Sequence, residues 1–358
     1  MITIDVFKTH YSLTVSGTGN NNFLTMKKGE TADFLSWYLP RRLGKLNIVL
    51  KYFNIIYSTG CSVREKPGGR FTLLSAAIGY GSKVSSKPEL EIPITFNGET
   101  SCEVITGFQS DETEIDIPEN AWFSVRLKIR AEEDIELPTT DESASSGYKN
   151  GLRTLNVLRP NFIGCRCDFD KTLVFLGDSI TQGTRTGTDK YEAWAHRTGL
   201  AMPISTNVLN LGMGWSRAYD AAEDGIFLNL AKNGDKVIIC FGVNDIKAGQ
   251  RTGENIIENL RAIIRLLREN NPQVDIILCT IPPFNMDPWQ EEQRQIVNRA
   301  VLSGELCSKT FDIGSILEEQ GGRVKPEYMA APDDAHPNGN GGRAVAEVLT
   351  PLLLNGEL

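Results

Sequence analysis

The chain has 358 residues and a formal net charge of −8, from 37 basic and 45 acidic side chains; it is 41% hydrophobic and 23% charged. This ordinary mixture excludes long-range disorder, and its acidity, with no long basic run, excludes a typical nucleic-acid-binding surface. No apolar run approaches the roughly 18–20 residues that span a bilayer, which excludes a helical membrane span.

At about 100–200 residues per domain, the length predicts two domains or one large one. The first residues, MITIDVFKTHYSL, alternate and carry Asp5 and Lys8. They lack the apolar stretch of a signal peptide. The cytoplasm is the default expectation, and secretion would follow only if a signal had been removed. Ile2, Ile4 and Val6 predict a first strand. Ile92, Ile94 and Phe96 predict another, running into a hairpin turn at Asn97-Gly98. Phe123, Val125, Leu127 and Ile129 alternate with Ser124, Arg126, Lys128 and Arg130, as in a half-buried antiparallel strand. Residues 1–165 therefore read as an all-β sandwich domain, and the polar stretch 139–151, TTDESASSGYKNG, reads as a loop.

From residue 166 to 358 the pattern changes to alternating strands and helices. TLVFLG, NVLNLG, KVIICFG and DIILCTI are short continuous apolar runs suited to strands buried on both faces of a parallel sheet. Helices are expected near Lys190–Thr198, ending at Gly199, and over Gly253–Glu269, Pro288–Ser308 and Gly342–Leu353. This is an α/β domain of the doubly wound kind. No G-x-G-x-x-G opens a helix after the first strand, and no P-loop is present. The seven cysteines contain Cys165-x-Cys167 but no C-x-x-C. Cys240 and Cys279 lie in apolar runs as small hydrophobes. No metal site, cofactor or disulfide framework is expected.

In such a sheet, ligands bind beyond the carboxyl ends of the strands. Four segments qualify: Gly177-Asp178-Ser179-Ile180-Thr181, Gly212-Met213-Gly214-Trp215-Ser216, Gly242-Val243-Asn244-Asp245, and Asp333-Asp334-Ala335-His336-Pro337-Asn338. Of three histidines, His10 falls in a predicted strand and His196 in a predicted helix. Only His336 lies in a loop beside carboxylates. A histidine oriented by an acid is the usual activator of a serine. In Asp333-x-x-His336 the two residues share a direction if the backbone turns helically. Singly, each segment has a bland reading: Gly-Asp-Ser is also a turn with a helix N-cap, and Asp178 is expected to brace its loop.

Taken together and in order, GDSIT (177–181), NLGMGWS (210–216), GVND (242–245) and DDAHPN (333–338) resemble the blocks of the SGNH (GDSL-type) esterase and lipase superfamily, over residues 170–355. The resemblance implies a three-layer α/β/α, flavodoxin-like catalytic domain with about five parallel strands. It also implies Ser179 as nucleophile, His336 as base and Asp333 as the orienting acid. The oxyanion hole would be the Ser179 N–H, a second-block N–H and the Asn244 side chain. Family members often read N-x-G-x-S-G in the second block. Without a gap its last glycine falls on Trp215, and with a one-residue deletion it falls on Gly214, the preferred assignment. The N-terminal half resembles the β-sandwiches of some two-domain carbohydrate esterases.

The expected function is a serine esterase that hydrolyses short-chain acyl esters, O-acetyl above all, on carbohydrate through an acyl-enzyme, without a metal. A small-molecule or glycan ester is the expected partner. The alternatives are a lipase, lysophospholipase or thioesterase on the same fold, or a non-catalytic binding protein. Ser216 is the rival nucleophile, since Gly214-x-Ser216-x-Ala218 approximates a nucleophile elbow. Trp215, Phe284 and Trp289 are candidates to stack on a sugar face, with core packing the preferred reading of Phe284.

Overall fold

The computed structural model describes residues 6–17, 19, 21–56, 65–140, 142, 144–223 and 225–358. Two apolar cores organise them, one among antiparallel strands of the N-terminal half and one around a parallel sheet in the C-terminal half.

The N-terminal half is a β-sandwich. One sheet centres on Gly44–Phe53, and the other on Thr31–Tyr38, Trp122–Ala131 and Phe71–Gly81. Along Trp122–Ala131, Phe123, Val125, Leu127 and Ile129 turn into the core while Lys128 and Arg130 stay exposed, as the pleat requires. They face Ile48, Leu50 and Tyr52 of the opposite sheet in one buried cluster.

Three expectations change here. Ile2 and Ile4 lie outside the described residues, and Val6 opens a short helix, Val6–Thr9, instead of continuing a strand. The Asn97-Gly98 turn forms, with φ of 53° and 82° and a Phe96–Glu99 bridge. Its flanking strands do not make a longer hairpin, however: Leu90–Ile94 and Cys102–Val104 both pair with Phe71–Gly81. The described residues of the expected loop 139–151 are largely buried, and within it Gly147–Lys149 is a strand paired with Thr31–Tyr38. Its small serines and glycine fit a crowded seam, which composition alone reads as solvent exposure.

The C-terminal half has a five-stranded parallel sheet. In chain order its strands are Lys171–Gly177, Thr206–Gly212, Lys236–Cys240, Asp275–Cys279 and Lys309–Phe311, and in space the order is second, first, third, fourth, fifth. That is the flavodoxin-like order, whose switch point lies beside the first strand. The helix Gly253–Asn270 is capped by the Thr252 side chain and buries Ile256, Leu260, Ile263, Ile264 and Leu267 on one face. Pro288–Leu302 starts with Pro288 in its first turn and a capping box between Asp287 and Gln290. The helix expected near Lys190–Thr198 instead runs Trp194–Ala201 and passes through Gly199. Gly199 packs closely on Val15 and Val208, where a Cβ would come within 3.0 Å of each.

The two halves are joined by packing as well as by the chain. Phe7, Val15, Phe53, Ala144 and Phe162 belong to the core of the parallel-sheet half. Gly17 bridges to Asn210 beside the second parallel strand, and Arg41 donates to the carbonyls of Thr206 and Met202 at 2.7 and 3.0 Å.

Candidate active site

The first parallel strand ends at Gly177, and the chain turns at once into the four-residue helix Ser179–Gln182. Asp178 caps it by accepting from the Ile180 N–H at 2.9 Å, and Gly183, with φ of 90°, ends it. Ser179 is thus the first helical residue, whose N–H has no intrahelical acceptor. Asp178 is buried, and desolvation, reinforced by the charge of Asp245, pushes its pKa up to about 7. Asp245 accepts from the Ala218 and Tyr219 N–H groups at 2.8 and 3.2 Å and so ties the third block to the second; burial raises it to about 6. Neither carboxylate lines the cleft; both brace loops.

The Ser179 hydroxyl lies 3.0 Å from His336 Nε2, and His336 Nδ1 lies 2.6 Å from an Asp334 oxygen. The expected Asp333 is not in this array. Met329–Ala331 and Asp334–Pro337 form a small hairpin, with Pro332 and Asp333 in its turn. The segment is extended, not helical, so side chains two apart share a face. Asp334 and His336 therefore point together, and Asp333 stands exposed at the tip. Asp334 also accepts from the His336 N–H at 3.1 Å and pairs with Arg185 Nε at 2.9 Å. Partial burial works against its ionised form, but the His336 hydrogen bonds and the Arg185 charge outweigh that and hold its carboxyl below the usual range.

The second block also departs from expectation. The Gly214 N–H, the preferred oxyanion donor, donates to the Gln182 side-chain oxygen at 2.7 Å. Trp215, next in the chain, has φ of 68°. That is the left-handed region glycine fills most cheaply, which accounts for glycine as the residue the family pattern favours there. Among the described residues no acceptor meets the Trp215 N–H. Asn244 lines the cleft and gives one amide hydrogen to the Ser216 carbonyl at 3.1 Å, which leaves its second. Gly212 matters for close packing instead. A Cβ there would sit 2.2 Å from the Gln182 nitrogen, so only glycine lets this strand end pass the helix Ser179–Gln182.

Ser179, His336, Gly214, Trp215 and Asn244 line one cleft of about 570 Å³. The rival Ser216 is fully buried, outside the cleft lining and away from the histidine. Trp289 is 42% exposed on its helix and does not line the cleft. Phe284, read as core packing, does pack against the core and is also a cleft wall, its ring edge-to-face with His336 at 4.9 Å. Composition and spacing did not single out Gln182, Arg185, Asn21, Leu155 or Lys247. Gln182 holds the second block through Gly214 and bonds Asn21 and Thr140 of the N-terminal half at 3.0 and 3.2 Å. The other four line the cleft. His196 is fully buried, with Nε2 2.7 Å from Glu142. Among the described residues no group of three or more His, Cys, Asp or Glu side chains gathers as a metal site requires, and no helix is long and apolar enough to cross a membrane.

Residues 175–344 match the GDSL-like Lipase/Acylhydrolase family. This segment of the C-terminal half is similar to GDSL-like lipases and acylhydrolases. Solved structures similar to the chain include a family two carbohydrate esterase from Cellvibrio japonicus. It has 12% identity and a TM-score of 0.41, and the match covers 97% of this chain and 95% of that one. A carbohydrate esterase family 3 protein from Talaromyces cellulolyticus has 21% identity and a TM-score of 0.40, covering 52% of this chain and 97% of that one. A GDSL-like lipase from Bacteroides thetaiotaomicron has 19% identity and a TM-score of 0.39, covering 52% and 89%. No curated protein matches the chain. The GDSL-like segment brings its four blocks to the ends of parallel strands and to the hairpin before the last helix.

Proposed function

We propose that the chain is a serine esterase that removes short acyl groups, acetyl above all, from carbohydrate through an acyl-enzyme. Residues 166–358 act as the catalytic domain and residues 1–165 as an accessory domain that completes the cleft. The observation that carries this reading is the hydrogen-bonded series Ser179, His336, Asp334, with separations of 3.0 and 2.6 Å.

His336 Nε2 takes the hydroxyl proton as Ser179 attacks the ester carbonyl. Asp334 fixes the tautomer and stabilises the imidazolium. The oxyanion is met by the N–H groups of Ser179 and Trp215 and by Asn244, and one such donor is typically worth about 10²–10³ in rate. Protonated His336 then gives its proton to the leaving alcohol, and a water activated by the same histidine releases the acid. Support for a short acyl group comes from the cleft wall, where Asn21, Thr184, Arg185 and Lys247 stand among Leu155, Trp215 and Phe284. Support for a sugar comes from Trp215, 56% exposed at the cleft and able to stack on a ring face.

An acyl-length series of aryl esters, from acetyl to palmitoyl, tests it. Each methylene buried in a true acyl groove contributes about 0.8 kcal/mol, so such a groove would raise kcat/KM severalfold per carbon. The expected result is a maximum at acetyl or propionyl and a fall by octanoyl, with acetate released from acetylated glycans. A steady rise to octanoyl and beyond would establish the lipase alternative instead.

A further inference from the structure

The chain as a whole is acidic, at −8, yet among the described residues no Asp or Glu lines the active-site cleft, whereas Arg185 and Lys247 do. The two cations differ. Arg185 is paired with Asp334, so its charge is answered by the triad acid. Lys247 has no carboxylate partner among the described residues. Its ammonium donates to the Phe284 carbonyl at 3.3 Å and lies 5.4 Å from that ring's centroid.

Its place is set by the helix Val243–Lys247. Asn244 and Lys247 are three residues apart, neighbours on one helix face. The ammonium therefore stands one turn from the oxyanion donor. Phe284, which it covers, packs edge-to-face on His336. Lys247 is half-buried in the cleft and has no carboxylate partner among the described residues; burying a charge is costly unless it is paired, so an anionic group brought into the cleft would be favoured there.

We propose that Lys247 selects esters whose alcohol carries a carboxylate, such as O-acetylated acidic sugars. The acetyl group has no charge, so the anion belongs to the alcohol side. This inference rests on the esterase reading and goes further by naming the substrate class. The Phe284 carbonyl and ring orient the ammonium and leave its remaining hydrogens for the carboxylate.

Two isosteric acetates decide it, 3-acetoxybenzoate and 3-acetoxybenzamide, each kcat/KM being divided by that ester's rate of alkaline hydrolysis. Wild type is expected to favour the anionic ester about fivefold at low salt, the scale of a partly exposed ion pair, and to lose the preference at about 1 M salt, where the Debye length is about 3 Å. Lys247→Gln should bring the ratio to about one, and Lys247→Arg should retain a preference, since both cations keep the charge. A wild-type ratio of one or below, or an unchanged ratio in Lys247→Gln, overturns the proposal while leaving the esterase reading in place. No turnover of either ester by wild type overturns both.

Discussion

Asp333 and Asp334 are adjacent and chemically identical, and only side-chain direction separates them. The hairpin sends Asp334 to His336 and Asp333 to solvent. Asp334→Asn should lower kcat by about 10⁴, because an amide favours the wrong histidine tautomer. Asp333→Asn, a surface change, should stay within about twofold, the effect of roughly 0.5 kcal/mol. Equal losses would refute the hairpin geometry. The same contrast holds for the serines. Ser179→Ala should cost about 10⁴–10⁶ in turnover, whereas Ser216→Ala removes a buried hydroxyl with no hydrogen-bond partner among the described residues and should leave most activity. A dead Ser216→Ala enzyme would move the nucleophile to the second block.

At the scale of an element, the short helix Ser179–Gln182 depends on a buried carboxyl at its cap. Asp178 has a folded pKa of about 7 against an ordinary 3.8. A raised carboxyl pKa means that the folded state holds the proton over that interval, so the unfolded state binds fewer. Stability from this group is present below the unfolded value and is lost as pH rises through the folded one. Asp178→Asn keeps a cap acceptor and cannot ionise. Melting temperatures measured from about pH 5 to about pH 8 should therefore show wild type losing ground to Asp178→Asn as pH rises. A difference that is flat or moves the other way would show that Asp178 is ionised without penalty.

Across the whole molecule, the sandwich and the GDSL-like domain share a buried polar seam. Glu142 and His196 are both fully buried and 2.7 Å apart, Arg159 lies 3.8 Å from the other Glu142 oxygen, and the Gly17 N–H donates to Glu142 at 2.8 Å. Removing one member of a buried charged group leaves the rest unpaired and costs about 3–5 kcal/mol. Glu142→Ala should lose stability on that scale in urea denaturation, as a fall in midpoint. A loss below about 1 kcal/mol, typical of an exposed pair, would mean that the seam is hydrated. The seam also reaches the chemistry, because Asn21 and Thr140 of the sandwich hold Gln182, which holds Gly214.

Local sequence by itself determined the elements and the chemical types. Continuous apolar runs determined the buried parallel strands, because a strand covered on both faces has no polar side. Alternation at Phe123–Ile129 determined a sandwich strand, because a pleat with one wet face has period two. The order of GDSIT, GVND and DDAHPN pointed to Ser179, Asn244 and His336, since each block carries a residue type its chemistry requires. Tertiary structure decided what local spacing leaves open. Whether Asp333 or Asp334 meets His336 depends on a hairpin whose first strand comes from Met329–Ala331. Whether Gly214 or Trp215 offers its N–H depends on Gln182, 32 residues away. The burial of 139–151, and the cleft made by Asn21 and Leu155 with Lys247, depend on the docking of two halves. Apart from that hairpin, whose two strands adjoin in the chain, these are contacts between distant segments, and no period or motif in either segment records its partner.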